Sequence, residues 1–105
     1  MEKFVFVYYG GKMAPIPKEQ QKSMADWNAW FASLGKAVVD AGAPTMPGKV
    51  VSSKGIKDGT IGEAVTGYSV IQADNIDAAA KLAAKCPQVT SAGGQIAVYK
   101  AMPMM

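Results

Sequence analysis

The strongest constraint in the sequence is a short stretch, residues 4–9, in which every residue is aromatic or β-branched. Such a run is a strong signal for a β-strand, whose successive side chains point to opposite faces. Both faces are apolar, formed by Phe4, Phe6 and Tyr8 and by Val5, Val7 and Tyr9. A strand that is apolar on both sides is covered on both sides. The fold must therefore provide two covering layers.

Two other stretches have the periodicity of helices. From residue 18 to about residue 40, apolar residues recur at steps of three and four, at Met24, Trp27, Phe31, Leu34 and Val38. Gly42 and Pro44 are expected to stop this helix. The second predicted helix covers residues 76–85, with Asn75 as its N-cap.

Three more strands complete the predicted fold, at residues 48–53, 65–73 and 95–100. Residues 53–64 are rich in glycine and charge, which predicts a long exposed connection. The second and third strands are neighbours in sequence, so a hairpin is the expected pairing. The order is β-α-β-β-α-β in one domain, residues 1–105. The fold class is α+β, with two helices on one face of a four-stranded antiparallel sheet.

The opposite face of that sheet lacks a cover within the chain. Half of the residues are hydrophobic, and a chain of this length buries well under three quarters of its unfolded surface. An exposed apolar sheet face normally marks an interface, and most soluble oligomers are symmetric dimers. We therefore expect a homodimer that forms through the sheet face.

Composition excludes several classes of function. The net charge of +3 comes from scattered lysines without a single arginine, which argues against nucleic-acid binding because base and phosphate recognition relies on the arginine fork. Histidine is absent, so His-based triads and the commonest zinc ligand are excluded. Cys86 is the single cysteine, which leaves no internal disulfide and favours a buried apolar role. No cofactor and no metal are expected.

No segment approaches the ~20 continuous apolar residues of a membrane span. The first residues run directly into the strand pattern and lack the apolar stretch and small-residue site of a cleavable signal. We expect a cytoplasmic protein that does not contact membranes.

One region resembles a known family. Residues 57–71 contain Asp58-Gly59, then Glu63, then Gly67-Tyr68 at the start of a strand. This pattern is similar to the DGPF branch of the YCII-related family, with Thr60 and Ile61 in place of the Pro and Phe of the motif. These two replacements make the chain resemble a divergent member. The resemblance spans nearly the whole chain.

The resemblance implies a ferredoxin-like fold that pairs as a dimeric α+β barrel. It implies little about function, since the family is largely uncharacterised. Some YCII-like proteins carry a His–Asp pair proposed as catalytic, which cannot be carried over to a chain without histidine. A few act on chlorinated aromatic breakdown products. Genes of the DGPF type often neighbour sigma factors, which hints at regulation.

In such a dimer, a cavity is expected between the first helix and the sheet. The candidates to line it are Tyr8, Tyr9, Trp27, Trp30 and Tyr68. A tyrosine hydroxyl or an indole N–H at its wall gives an aromatic ligand a stacking surface and a polar contact. For Trp27 the alternative of a core residue at helical spacing is favoured, while Trp30 lies one step off the main stripe.

Asp58 and Glu63 are candidate catalytic carboxylates, and Tyr68 is a third candidate. A carboxyl group that acts as a general acid or base needs a raised pKa, which burial or a like-charged neighbour provides. The favoured alternative is an Asp-Gly turn followed by a solvated glutamate.

Three functions stay open at this stage. The first is a dimeric small-molecule-binding or accessory protein, and the second is a lyase or isomerase acting on a small, aromatic-derived acid. The third is a protein-interaction module linked to regulation. Whether the protein is an enzyme is left undecided by the sequence.

Overall fold

A computed structural model describes residues 1–11 and 17–103 of the chain. The elements, in chain order, are β1 (Glu2–Tyr9), α1 (Pro17–Leu34), β2 (Val38–Pro44), β3 (Gly48–Ser52), β4 (Gly55–Gly59), β5 (Val65–Ala73), α2 (Ile76–Ala84), α3 (Pro87–Thr90) and β6 (Gln95–Lys100). Four of the strands form an antiparallel sheet in the order β2-β5-β1-β6, and β3 and β4 form a separate two-stranded sheet. The predicted α+β class and four-stranded antiparallel sheet are confirmed.

The core lies between the sheet and the helices. The alternation predicted for β1 is observed, because Phe4 and Phe6 are fully buried and Tyr8 is nearly so. Ile71 of β5 and Ala79 of α2 are also fully buried in this cluster. The small side chains of α2 let this helix lie close to the sheet. Its predicted N-cap is present, since the Asn75 side chain accepts a hydrogen bond from the Ala78 amide at 2.8 Å.

Trp30 anchors α1 to this core. It is the one buried residue of that helix, and its indole Nε1 donates to the Leu82 carbonyl of α2 at 3.1 Å. Its ring lies 6.3 Å from that of Phe6, and Trp27 meets Tyr8 edge-on at 5.3 Å. The indole N–H therefore ties α1 to α2 where the aromatic rings of α1 pack on β1.

Two successive hydrogen bonds between buried polar groups link three strands. The Tyr8 hydroxyl donates to Ser69 Oγ at 2.7 Å, and Ser69 Oγ donates to the Ala41 carbonyl at 2.6 Å. Burial raises the pKa of Tyr8 well above its ordinary range. The two hydrogen bonds satisfy polar groups that would be costly to bury alone, and they join β1, β5 and β2.

The predicted position of the second strand was wrong. The first helix ends at Leu34 rather than near residue 40, because Gly35 follows with φ of +54° and ends the helix in the left-handed conformation. The second strand of the main sheet is then β2. Gly42, predicted to stop the helix, instead lies inside β2, where a Cβ would collide with the Tyr68 carbonyl. The glycine permits a close approach of β2 to β5.

Residues 48–53, predicted as the second strand of the sheet, belong largely to β3 of a hairpin with β4. We call this hairpin, Gly48–Ser52 with Gly55–Gly59, the arm. Its second strand, β4, lies in the segment that was predicted to be a long exposed connection; the segment is exposed but forms a strand. All of its strand residues except Val50 are exposed.

Trp30 and Met24 lie on the same helix and differ in burial, at 6% and 66% exposure. We expect Trp30→Ala to lower the free energy of unfolding by about 3–5 kcal/mol, since it leaves a cavity and removes the bond to α2. Met24→Ala should change that free energy by no more than about 0.5 kcal/mol. Urea denaturation at one fixed protein concentration measures both. Equal effects would show that Trp30 is not a core anchor.

Cys86 makes the fold sensitive to alkaline pH. Burial raises the pKa of its thiol from an ordinary 9.0 to about 12. The unfolded chain thus releases this proton at lower pH than the folded chain, so the free energy of unfolding falls as the pH rises from 9 towards 12. Between pH 8 and pH 10 we expect the free energy of unfolding of Cys86→Ala, measured by urea denaturation, to fall by about 1 kcal/mol less than that of the wild type. Parallel losses in both proteins would contradict this assignment.

Candidate functional site

The face of the main sheet that lies opposite the helices is apolar at its centre and polar at one end. We call it the open face; it consists of Lys3, Val5, Val7, Tyr9, Asp40, Ala43, Val65, Tyr68, Val70, Gln72, Gln95, Ala97 and Tyr99. These residues stand in rows across the sheet, because Val5 lies between Val70 and Tyr99, and Val7 lies between Tyr68 and Ala97. Tyr68 and Tyr99 are 39% and 55% exposed. No helix among the described residues covers this face.

A depression of about 620 Å³ lies along the outer edge of β6, bordered by residues of the open face, by Ile96, whose partner Tyr8 faces the helices, and by Val89 of α3. Its lining consists of Tyr9, Glu63, Val89, Gly94, Gln95, Ile96, Ala97 and Tyr99. Ala97 is a short residue on β6 between Gln95 and Tyr99, which leaves a hollow beside the larger rings. The depression therefore offers tyrosine rings, one amide and one carboxylate to an occupant.

Gln88 holds the end of β1 in place beside this depression. It is a buried residue of α3, and its side-chain Nε2 donates to the carbonyl groups of Tyr9 and Gly10 at 2.9 and 3.0 Å. The Gly94 amide donates to the Gln88 backbone carbonyl at 2.8 Å. A Cβ at Gly94 would collide with the Gln88 amide and the Tyr9 carbonyl. Gln88 thus fixes the backbone that carries Tyr9 and starts β6.

The structure separates the aromatic residues that were predicted to share one cavity. Tyr8, Trp27 and Trp30 lie on the helix side, where Trp27 and Trp30 meet edge-on at 5.9 Å within the core cluster. These rings pack against one another in the space where the cavity was expected. Tyr9 and Tyr68 lie on the open face instead, and of the five candidates Tyr9 alone lines the depression.

The two candidate carboxylates also belong to different parts of the molecule. Asp58 lies in the arm, where its Oδ1 accepts from Lys49 Nζ at 2.6 Å on a largely exposed surface. Asp58-Gly59 ends β4 and does not form the predicted turn; the turn of the arm is at residues 53–54. Glu63 is exposed at the depression. Among the described residues, no three His, Cys, Asp or Glu side chains are grouped so that they could hold a metal ion.

Sequence reasoning missed Gln88, Gln95, Ala97 and Tyr99. The alternation of β6 does place Gln95, Ala97 and Tyr99 on one face, but the sequence does not show which face that is. The role of Gln88 depends on where α3 meets the end of β1, and no local pattern indicates that contact.

None of the described helices is both long enough and apolar enough to span a membrane. The sequence matches no family model and no curated protein.

Proposed function

We propose that this protein is a homodimer that forms through its open face and binds a small aromatic molecule in the depression beside Tyr9 and Tyr99. One observation carries the proposal, namely a sheet face whose centre consists of valine, alanine and tyrosine side chains and that nothing in the described part of the chain covers. An apolar patch of this extent is typical of an interaction site. The simplest partner to cover this face is a second copy of the chain, since twofold-symmetric homodimers are the commonest oligomers.

The proposal includes a ferredoxin-like fold, a dimeric α+β barrel and membership of the YCII-related family. The strand order β2-β5-β1-β6, with the helices on one face, supports the ferredoxin-like fold. The open face supports the dimeric barrel. For the family, the support is the motif of Asp58-Gly59, Glu63 and Gly67-Tyr68. A cytoplasmic location is part of the same proposal.

The size of the open face is compatible with a dimer. Strands about 4.8 Å apart, each about eight residues long at about 3.3 Å per residue, give a four-stranded face of roughly 500 Å². Two such faces bury roughly 1,000 Å² in total, which is close to the lower limit for a specific interface. Sheet packing alone therefore makes a modest dimer, to which other contacts must add.

The depression has the size and the chemistry of a site for a small ligand. Its volume of about 620 Å³ matches the usual range of about 300–1,000 Å³. The depression is largely open to solvent, so it encloses a ligand only when a further wall covers it. The rings of Tyr9 and Tyr99 provide stacking surfaces, and the Gln95 amide provides a hydrogen-bond donor and acceptor. We favour binding over lyase or isomerase chemistry. A carboxyl group that acts as a general acid is normally buried, because burial raises its pKa, whereas Glu63 is exposed.

A protein-interaction module is the second candidate function. The observation that favours it is the arm, whose Val51 and Ile56 side chains are 71% and 69% exposed.

Tyr68 lies in the middle row of the open face, so a charge there tests the dimer. We expect the wild type to scatter light at twice the 11.0 kDa of one chain at micromolar concentration. Tyr68→Lys should weaken the dimer about 100-fold, because it places an unpaired charge in an apolar interface. Met24→Lys, on the helix side, is the matched control and should leave the dimer unchanged. A monomeric wild type, or a dimer that tolerates Tyr68→Lys, would refute the sheet-face pairing.

Phenol and cyclohexanol test the ligand site, since they match in size and in their hydroxyl group and differ in aromaticity. We expect phenol to bind at about millimolar affinity and to shift the NMR signals of Ala97, with cyclohexanol at least about fivefold weaker. Tyr99→Ala should abolish the difference between the two probes, while Ile76→Ala on α2 should preserve it. Equal binding of both probes to the wild type would exclude recognition by the tyrosine rings.

A further inference from the structure

The arm does not belong to the packed body of the chain. Within residues 1–11 and 17–103, its two strands pair only with each other and form a sheet of their own. An isolated two-stranded hairpin is at best marginally stable in water. Its base is fixed at the end of the main sheet, where the Thr45 amide donates to the Thr66 carbonyl at 3.0 Å and Thr45 Oγ1 donates to the Val65 carbonyl at 2.9 Å. The arm is thus held in a projecting position.

One face of the arm carries an apolar tip. Val51 and Ile56 lie directly opposite each other across β3 and β4, and both are about 70% exposed (71% and 69%). Met46 and Ile61, which flank the base of the arm, are 87% and 84% exposed. Large apolar side chains so fully exposed along one projection are typical of a contact surface.

The charges of the arm complement those of the depression. Lys49 is neutralised by Asp58, whereas Lys54 and Lys57 have no ion-pair partner among the described residues. Glu63, at the depression, likewise has none within the described part of the chain. The depression also has an apolar wall, in which Val89 is 40% and Tyr99 is 55% exposed. An arm with an apolar tip and free lysines thus matches a depression with an apolar wall and a free carboxylate.

We propose that the arm of each copy lies across the depression of the other copy and forms the missing wall of its site. The apolar tip packs beside Tyr99 and Val89, and Lys54 in the turn of the arm lies near Glu63 at the rim. Lys57 pairs with Val50 on the other face of the arm and adds positive charge beside this contact. This inference rests on the proposed dimer and specifies what the partner contributes to it. The arm also enlarges an interface for which the open faces alone are barely sufficient.

The test uses two charge-reversed proteins, Lys54→Glu/Lys57→Glu in the arm and Glu63→Lys at the depression. In a homodimer of either variant, like charges face each other at both arm contacts, so self-association should weaken about tenfold. In an equimolar mixture, both contacts of the heterodimer pair opposite charges. We expect the mixture to recover the wild-type dimer affinity in sedimentation equilibrium, with heterodimers identified by native mass spectrometry.

A matched control reverses two lysines on the helix side, Lys18→Glu/Lys22→Glu, which is the same change in net charge. In the heterodimer of this control with Glu63→Lys, one arm contact still pairs like charges, so its affinity should stay below that of the wild-type dimer. A second variant, Val51→Ser/Ile56→Ser, should also weaken the dimer about tenfold while the core remains folded, because the tip lies outside the core.

Several outcomes would overturn the inference. If the arm variants dimerise like the wild type while Tyr68→Lys does not, the sheet-face dimer stands and the arm lies elsewhere, on another protein or in solvent. If the mixture fails to recover, the arm does not meet the partner's Glu63, and a contact within one chain explains the effect of the single variants. A monomeric wild type would refute the proposed dimer and the arm contact together.

Discussion

The structure depends on β1, an inner strand that is hydrogen-bonded on both sides and apolar on both faces. Its neighbours β5 and β6 satisfy its backbone, and the helices cover Phe4, Phe6 and Tyr8. Nothing in the described part of the chain covers its other face. The Tyr8 hydroxyl adds a specific constraint, because its bond to Ser69 fixes β5 against β1 and, through the Ala41 carbonyl, fixes β2 as well. Since both faces of β1 are apolar, the hydrophobic pattern alone opposes a one-residue slip less strongly than it does in a strand with one polar face.

The elements that the sequence predicted well are those whose local signals agree. β1, β5, β6 and α2 combine a clear periodicity with a turn residue or a cap at the expected place, which is the consistency that makes a segment predictable. The prediction of the second strand failed for a physical reason. Val38 continues the helical spacing of α1, and only the left-handed backbone of Gly35 ends that helix. Gly42 then serves a close strand contact that the sequence does not reveal.

The candidate site was predictable only in part. Tyr9 and Glu63 were among the candidates because their residue types suit binding and catalysis, and both line the depression. Trp27 and Trp30 have equally suitable chemistry, yet they lie in the core, because tertiary packing rather than residue type decides which aromatic ring stays accessible. Gln88 carries no local signal at all. Its role arises from the long-range contact with the Tyr9 carbonyl, 79 positions away in sequence.

The choice of lysine for every cation of this chain bears on how an arm can work. Lysine is a compact and strongly hydrated charge, poorly suited to a buried ion pair and well suited to the wet rim of an interface. Rim charges contribute more to orientation and association rate than to affinity. Lys54 and Lys57 therefore suit a contact that guides the arm to the acidic rim of a depression, while Val51 and Ile56 supply the apolar area that holds it there. This division of roles explains why charge and apolar surface occur together on the arm, whose two strands have no other strand beside them in the described part of the chain.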